Sequence, residues 1–360
     1  MESGNSDERA PSGMRAPGLQ GALVVAAVIA ALGLAASAGA SGGGDFGLHC
    51  TRTAILQRAA CTNEVADDYL EARAVCGNIS GFEERRECLR EARDDAGAAN
   101  RLCRQQRVAR LGVCDLIGEK RYDPDLDPEQ FRTTFDDSNP FWPLSVGNQW
   151  RYQGAGEVID VEVLDETKQI EGVTCITVRD TVLEDGVPLE DTDDWIALHD
   201  DGDAWYFGEI SKNFELFEGD DPEIAELVDL EGSWKAGRDG AKPGVFVPAN
   251  APVGLTYRQE WKAGEAEDVA TVLSRTYGYG NDPALDEHVP QALAELLCND
   301  DCMVTRDFTP VDPDANELKY YAPGIGFFLE VKPEDGEIVQ LTACNVDPRC
   351  ASLPEPEEDE

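Results

Sequence analysis

At 360 residues and 42% apolar content, the chain has room for two folded units with ordinary cores. Its charge excludes more, since 30 Lys and Arg stand against 72 Asp and Glu, a formal net charge of −42. A surface that negative repels phosphate backbones and anionic bilayers, so neither nucleic acid nor a membrane surface is expected as a partner.

In chain order the first element is residues 21–40, uncharged and rich in Ala and Gly, behind Arg9 and Arg15. Small residues at Ala36, Ala38 and Ala40 suit A-x-A cleavage, and the run is only weakly apolar for a permanent span. Residues 1–40 are therefore expected to be a cleaved signal peptide, with a retained anchor as the alternative. The expected location is extracytoplasmic, periplasmic or secreted, with no membrane contact after cleavage. His49, directly before the first cysteine, does not suit a lipoprotein signal.

Residues 41–118 hold six of the eleven cysteines: Cys50, Cys61, Cys76, Cys88, Cys103 and Cys114. Their spacing is a palindrome, 11, 15, 12, 15 and 11. At about 100° per residue, steps of 11 and 15 return close to one helix face. Val65, Tyr69 and Ala72 join that face on the first helix, and Ala92, Ala96 and Ala99 on the second. The pattern predicts two antiparallel helices turning at Asn78–Gly81 and stapled by Cys50–Cys114, Cys61–Cys103 and Cys76–Cys88. Zinc would ask for tighter C-x₂-C pairs. Disulfides in turn agree with an oxidising compartment.

Residues 119–138 read as a Pro- and Asp-containing linker. Asp123, Asp125 and Asp127 alternate as in a calcium loop, but Pro128 and Thr134 stand where that loop needs Gly and Glu. From residue 139 to 346 short alternating segments recur between turns, among them Val158–Leu164, Asp194–Leu198, Ala204–Phe207, Thr256–Trp261, Val269–Ser274, Val304–Phe308, Lys319–Ala322, Gly326–Val331 and Ile338–Thr342. They predict an antiparallel β meander curled into a barrel, half-barrel or sandwich, making the whole chain α+β. Residues 285–297 read as one inserted helix, the Gly-rich run Gly232–Gly244 as a loop, and 347–360 as an acidic tail. Cys344 and Cys350 fit a small loop-closing disulfide. Cys175, Cys298 and Cys302 have no pairing legible from spacing, and an odd total leaves at least one thiol unpaired within the chain.

Asn139-Pro140-Phe141-Trp142-Pro143-Leu144, followed by Gly147, Trp150 and Tyr152, resembles the N-P-[FY]-x-P-L-x-x-G-x-x-W-x-Y opening of a family of secreted bacterial proteins. Later stretches, such as Val178–Thr181, Asp239–Gly244, Tyr257–Glu260 and Lys319–Gly326, are similar too, and the resemblance spans most of residues 45–335. It implies export and one shared fold that includes the hairpin. It implies no activity.

The chemistry within reach is limited. Three histidines, His49, His199 and His288, and no G-x-S-x-G elbow leave nucleophilic catalysis without a base beside its nucleophile. Two acidic clusters remain as calcium candidates: Asp200, Asp201 and Asp203 in one turn, and Glu265, Glu267 and Asp268, beside Glu260, around Gly264. The second cluster also suggests a carboxylate pair for glycoside hydrolysis, while the plain reading of both is a solvated turn. Trp195, Trp205, Tyr206, Trp234 and Trp261 either fill the core or line a ligand pocket. The expectation is an exported, noncatalytic binding or structural module for which no cofactor is expected, with calcium as the one candidate. A carboxylate-dependent hydrolase and a carrier of an apolar ligand are the alternatives.

Overall fold

The computed structural model describes residues 47–356. The expected signal peptide, residues 1–40, and the last four residues of the acidic tail lie outside the described residues.

Helix α1 (His49–Gly77) and helix α2 (Phe82–Ile117) form the expected hairpin. The three nested disulfides join them with Cα–Cα separations of 5.6, 5.8 and 5.6 Å for Cys50–Cys114, Cys61–Cys103 and Cys76–Cys88. Val65 and Ala92 are buried between the helices, and Tyr69, Ala72, Ala96 and Ala99 are half-buried there. Little else is covered. Ile55, Leu70, Val75 and Phe82 all remain exposed, so a two-helix unit with so thin a core depends on its staples.

The rest of the chain is one antiparallel 15-stranded sheet, curled until it nearly closes into a barrel. Strands β1 (Gln149–Gly154), β2 (Glu157–Ile170), β3 (Val173–Glu184), β4 (Val187–Leu198) and β5 (Ala204–Glu215) run up and down in sequence. Two short strands, β6 (Glu226–Asp229) and β7 (Trp234–Lys235), pair with β5 alone before β8 (Lys242–Val247) continues the ring. On the other side, β11 (Val269–Tyr277), β12 (Cys302–Phe308), β13 (Asn316–Ala322), β14 (Gly326–Val331) and β15 (Ile338–Cys344) lead back to β1. Closure falls to one kinked segment. Its first half, β9 (Thr256–Arg258), pairs with β11, and its second half, β10 (Glu260–Trp261), pairs with β8. At that seam a Cβ on Gly244 would lie 2.4 Å from the Arg258 carbonyl oxygen, so only glycine lets β8 approach this closely.

The motif at residues 139–152 leads into the barrel and ends within β1. Asn139 is fully buried; its amide donates to the Val247 carbonyl at 2.8 Å and its Oδ1 accepts from Phe141 N at 2.8 Å. Trp150 donates to the Ile325 carbonyl at 2.8 Å, and Tyr152 to that of Phe327 at 3.2 Å. These residues tie the start of the β unit to strands far away in sequence, which is the structural content of the motif.

Four expectations are corrected or completed. The inserted helix is only α3 (Gln291–Leu297), because Pro290 disfavours a helical residue before it and starts the helix anew. The Gly-rich run is not a loop throughout, since β7 and the start of β8 lie within it. Cys298 and Cys302 bond to each other, Cys344 bonds to Cys350, and Cys175 is the free thiol, buried in β3. The acidic tail starts as ordered structure: Arg349 reaches the carbonyls of Leu297 and Pro323 at 2.9 and 2.6 Å, and Leu353 packs on the core. Five disulfides are what a protein of an oxidising compartment carries. No helix among the described residues is long and apolar enough to cross a membrane.

Candidate functional site: an acidic chamber in the barrel

Side chains alternate along each strand, so every second residue of the ring points inward. On β2 and β15 these are mostly apolar, Ile159, Val161 and Val339, with Glu157 at the start of β2. On β3, β4, β12, β13 and β14 the inward phase carries charge: Asp180, Asp194, Asp307, Glu317, Lys319 and Glu330. The barrel therefore holds a cavity of about 390 Å³ in which aromatic side chains, Trp142, Tyr152, Phe246 and Phe327, mingle with charged ones from β3 and β4 on one side and β12–β14 on the other.

Register explains how the charges meet. Asp307 lies directly opposite Glu317 across β12 and β13, and Lys319 directly opposite Glu330 across β13 and β14. The Lys319 ammonium stands 3.3 Å from Glu317, 3.6 Å from Glu330 and 3.9 Å from Asp307. Burial pulls its pKa down, but those three carboxylates outweigh it and hold the amine well above its usual value. Asp307 also accepts from Thr305 Oγ1 and from Gln259 Nε2, the latter at 3.2 Å.

Across the chamber the carboxylates lack such a cation. Asp194 faces Glu209 directly on the neighbouring strand and accepts from the Tyr206 hydroxyl at 2.5 Å. Burial is the largest cause raising Asp194, to about 7, with Glu190 and Asp193 adding repulsion. Burial likewise raises Asp180 and Glu209 well above the usual carboxylate range, Asp194 contributing to both. Burial lifts Glu330 to about 7 despite Lys319. Two buried polar atoms on the chamber wall, Asp180 Oδ1 and Trp142 Nε1, have no hydrogen-bond partner. The chamber thus holds several carboxylates whose burial favours the neutral form, and it offers an unused acceptor and an unused donor.

The six calcium candidates are scattered. Asp200 is exposed near Arg132; Asp201 caps its own turn, accepting from Asp203 N at 3.0 Å; and Asp203 accepts from Ala249 N at 2.8 Å, with burial raising its pKa. Glu265 pairs with Lys262 on the surface. Glu267 is buried against the hairpin, where it takes Arg110 Nε at 2.8 Å and the Gly264 amide at 2.7 Å. Its neighbour Asp268 turns the opposite way, with burial raising it to about 6. Among the described residues no group of three or more His, Cys, Asp or Glu is placed to hold a metal ion.

The aromatics named from sequence mostly serve packing. Trp195 and Trp234 are buried, with Lys168 over the Trp195 ring and Tyr206 edge-on to Trp234, while Trp205 packs on Phe131. Only Tyr206 reaches a chamber group, through Asp194, and Trp261 lines a different cavity. The charged chamber residues were missed, although a signal existed. An acidic residue in phase with buried apolar neighbours, as in Val178-Arg179-Asp180 or Asp194-Trp195-Ile196, marks a polar group on an inward face.

Compared with known protein families, curated proteins and solved structures, the chain matches none of them.

Proposed function

We propose that this is an exported, noncatalytic binding module whose ligand occupies the barrel chamber, and that the ligand is a small organic amine with an apolar body. The single observation behind this reading is a ligand-sized cavity lined by both aromatic and charged side chains, whose carboxylates outnumber its cations. A cation entering it would let Asp180 and the Asp194–Glu209 pair ionise, turning a costly arrangement of like charges into a binding contribution. The acidic half-lining speaks against a purely apolar occupant. The uncharged leader at 21–40 and the five disulfides support export.

The test compares phenethylamine with its uncharged analogue phenethyl alcohol by thermal unfolding of the oxidised protein. The amine is expected to raise the transition and the alcohol to leave it unchanged, and Asp180→Asn together with Asp194→Asn should abolish the amine effect. Equal response to both compounds, or to neither at millimolar concentration, would overturn the reading.

A further inference from the structure

A second cavity, of about 410 Å³, lies where the hairpin meets the barrel, and its charge runs against the rest of the molecule. Arg52 and Arg110 reach it from the helices, Lys120 and Arg121 from the connector, and Lys242 and Arg258 from the barrel seam. The acidic residues in its lining are Asp123 and Glu267. Both are engaged: Asp123 accepts from Lys242 Nζ at 2.7 Å, and Glu267 binds Arg110, Gln57 and the Gly264 amide. In a chain of net charge −42, six cations converging on one hollow need a reason.

Clamping the hairpin to the barrel is one such reason, and Arg110 with Glu267 meets it. It does not account for what remains. Arg110 is only 5% exposed, yet its Nη1 is buried without a hydrogen-bond partner. Arg258 stacks on the Tyr122 ring at 5.5 Å, and its Nε and Nη1 are likewise buried and unpartnered. A guanidinium withdrawn from water with idle N–H groups is unfavourable unless an acceptor meets it. Two such guanidinium groups among the lining of one cavity offer idle charged N–H donors of the kind that oxyanions accept from. Trp261 supplies a flat apolar surface in the same cavity.

We propose that this junction cavity is a binding site for a small oxyanion, phosphate or sulfate, free or carried on a small organic molecule, held by Arg110 and Arg258. Burial draws the Arg258 pKa down from its usual value, partly offset by the Glu267 charge, and the Arg110 charge lowers it further, so an added anion would relieve both lowering effects. Because the ligand would touch helix, connector and barrel together, occupancy would also brace the hairpin against the barrel.

The test is titration of the oxidised full-length protein with inorganic phosphate and with phenyl phosphate, against chloride at matched ionic strength, followed by calorimetry and thermal unfolding. Saturable binding by either probe is expected, tighter for phenyl phosphate if the natural ligand has an organic body that meets Trp261. Arg258→Gln should weaken it at least tenfold, and Arg52→Ala, an exposed position, should weaken it severalfold while leaving the circular dichroism unchanged. General stabilisation by excluded phosphate acts on every variant alike, so an increment that survives unchanged in both variants would overturn the site. So would the absence of saturable heat with both probes.

Discussion

The hairpin and the barrel solve the problem of staying folded in opposite ways. Between residues 47 and 118 there are eleven arginines, no lysine, and eleven Asp and Glu, whereas residues 119–356 hold 17 Lys and Arg against 53 Asp and Glu. The hairpin is nearly neutral, thinly packed and covalently stapled. The barrel is densely acidic and rests on a continuous core in which Phe207, Tyr277, Tyr320 and Phe328 are wholly buried. Where apolar burial is scarce, cross-links limit the unfolded chain; where it is plentiful, the fold tolerates repulsion both on its surface and inside its chamber.

Reduction should separate the two units most sharply. Removing the middle staple with Cys61→Ser and Cys103→Ser opens a loop of separation 42 and should cost about 4 kcal/mol on the chain-entropy estimate. Loss of Cys344–Cys350, separation 6, should cost only about 2 kcal/mol. With all hairpin staples reduced, helical circular dichroism should fade while the near-ultraviolet signal of the buried barrel aromatics persists. Simultaneous loss of both signals would show that the barrel depends on the hairpin.

Next in size is the clamp between them. Glu267→Gln leaves Arg110 buried beside a neutral group, so a loss of roughly 3 kcal/mol or more is expected in denaturant titration. The hairpin should then show faster amide exchange, and the barrel should not.

The two units also differed in legibility. The palindrome of cysteines dictated the hairpin's pairing and turn, because disulfide and helix geometry leave one solution. In the barrel, alternation between turns disclosed most strands, but not which carboxylates would meet. Asp194 and Glu209 become neighbours through a register set by both strands' inward faces, and Glu267 and Asp268, adjacent in sequence, diverge to the hairpin and the barrel interior. The basic junction cavity depends on contacts between segments more than 100 residues apart, as between the Tyr122 hydroxyl and the Pro243 carbonyl at 2.8 Å, and closure at Gly244 depends on its tertiary approach to Arg258; no local pattern encodes either.

The acidic chamber should give the barrel an inverted pH profile. Asp194 rises from 3.8 to about 7 on folding and Glu330 from 4.5 to about 7. Over that interval the folded protein binds more protons than the unfolded chain, so stability is greatest below the unfolded pKa and is lost as pH rises through 7. The unfolding temperature should therefore fall between pH 5 and pH 8. Asp194→Asn, which removes repulsion with Glu209, Glu190, Asp193 and Asp180, should stabilise the protein by roughly 1–3 kcal/mol at pH 8 and flatten the slope. A steeper profile in that variant would refute the assignment.

The smallest effect expected is that of calcium. Asp200, Asp201 and Asp203 are turned toward separate partners, and Glu265, Glu267 and Asp268 toward a surface lysine, a helix and the barrel interior. A divalent ion meets no ready ligand set in either cluster. Calcium should raise the unfolding temperature no more than magnesium does at equal ionic strength, within about 1 °C, because both act by screening a surface of high negative charge. A larger rise specific to calcium and reversed by EDTA would mean that the barrel's loops rearrange around the ion, and that its acidic surface does more than keep it in solution.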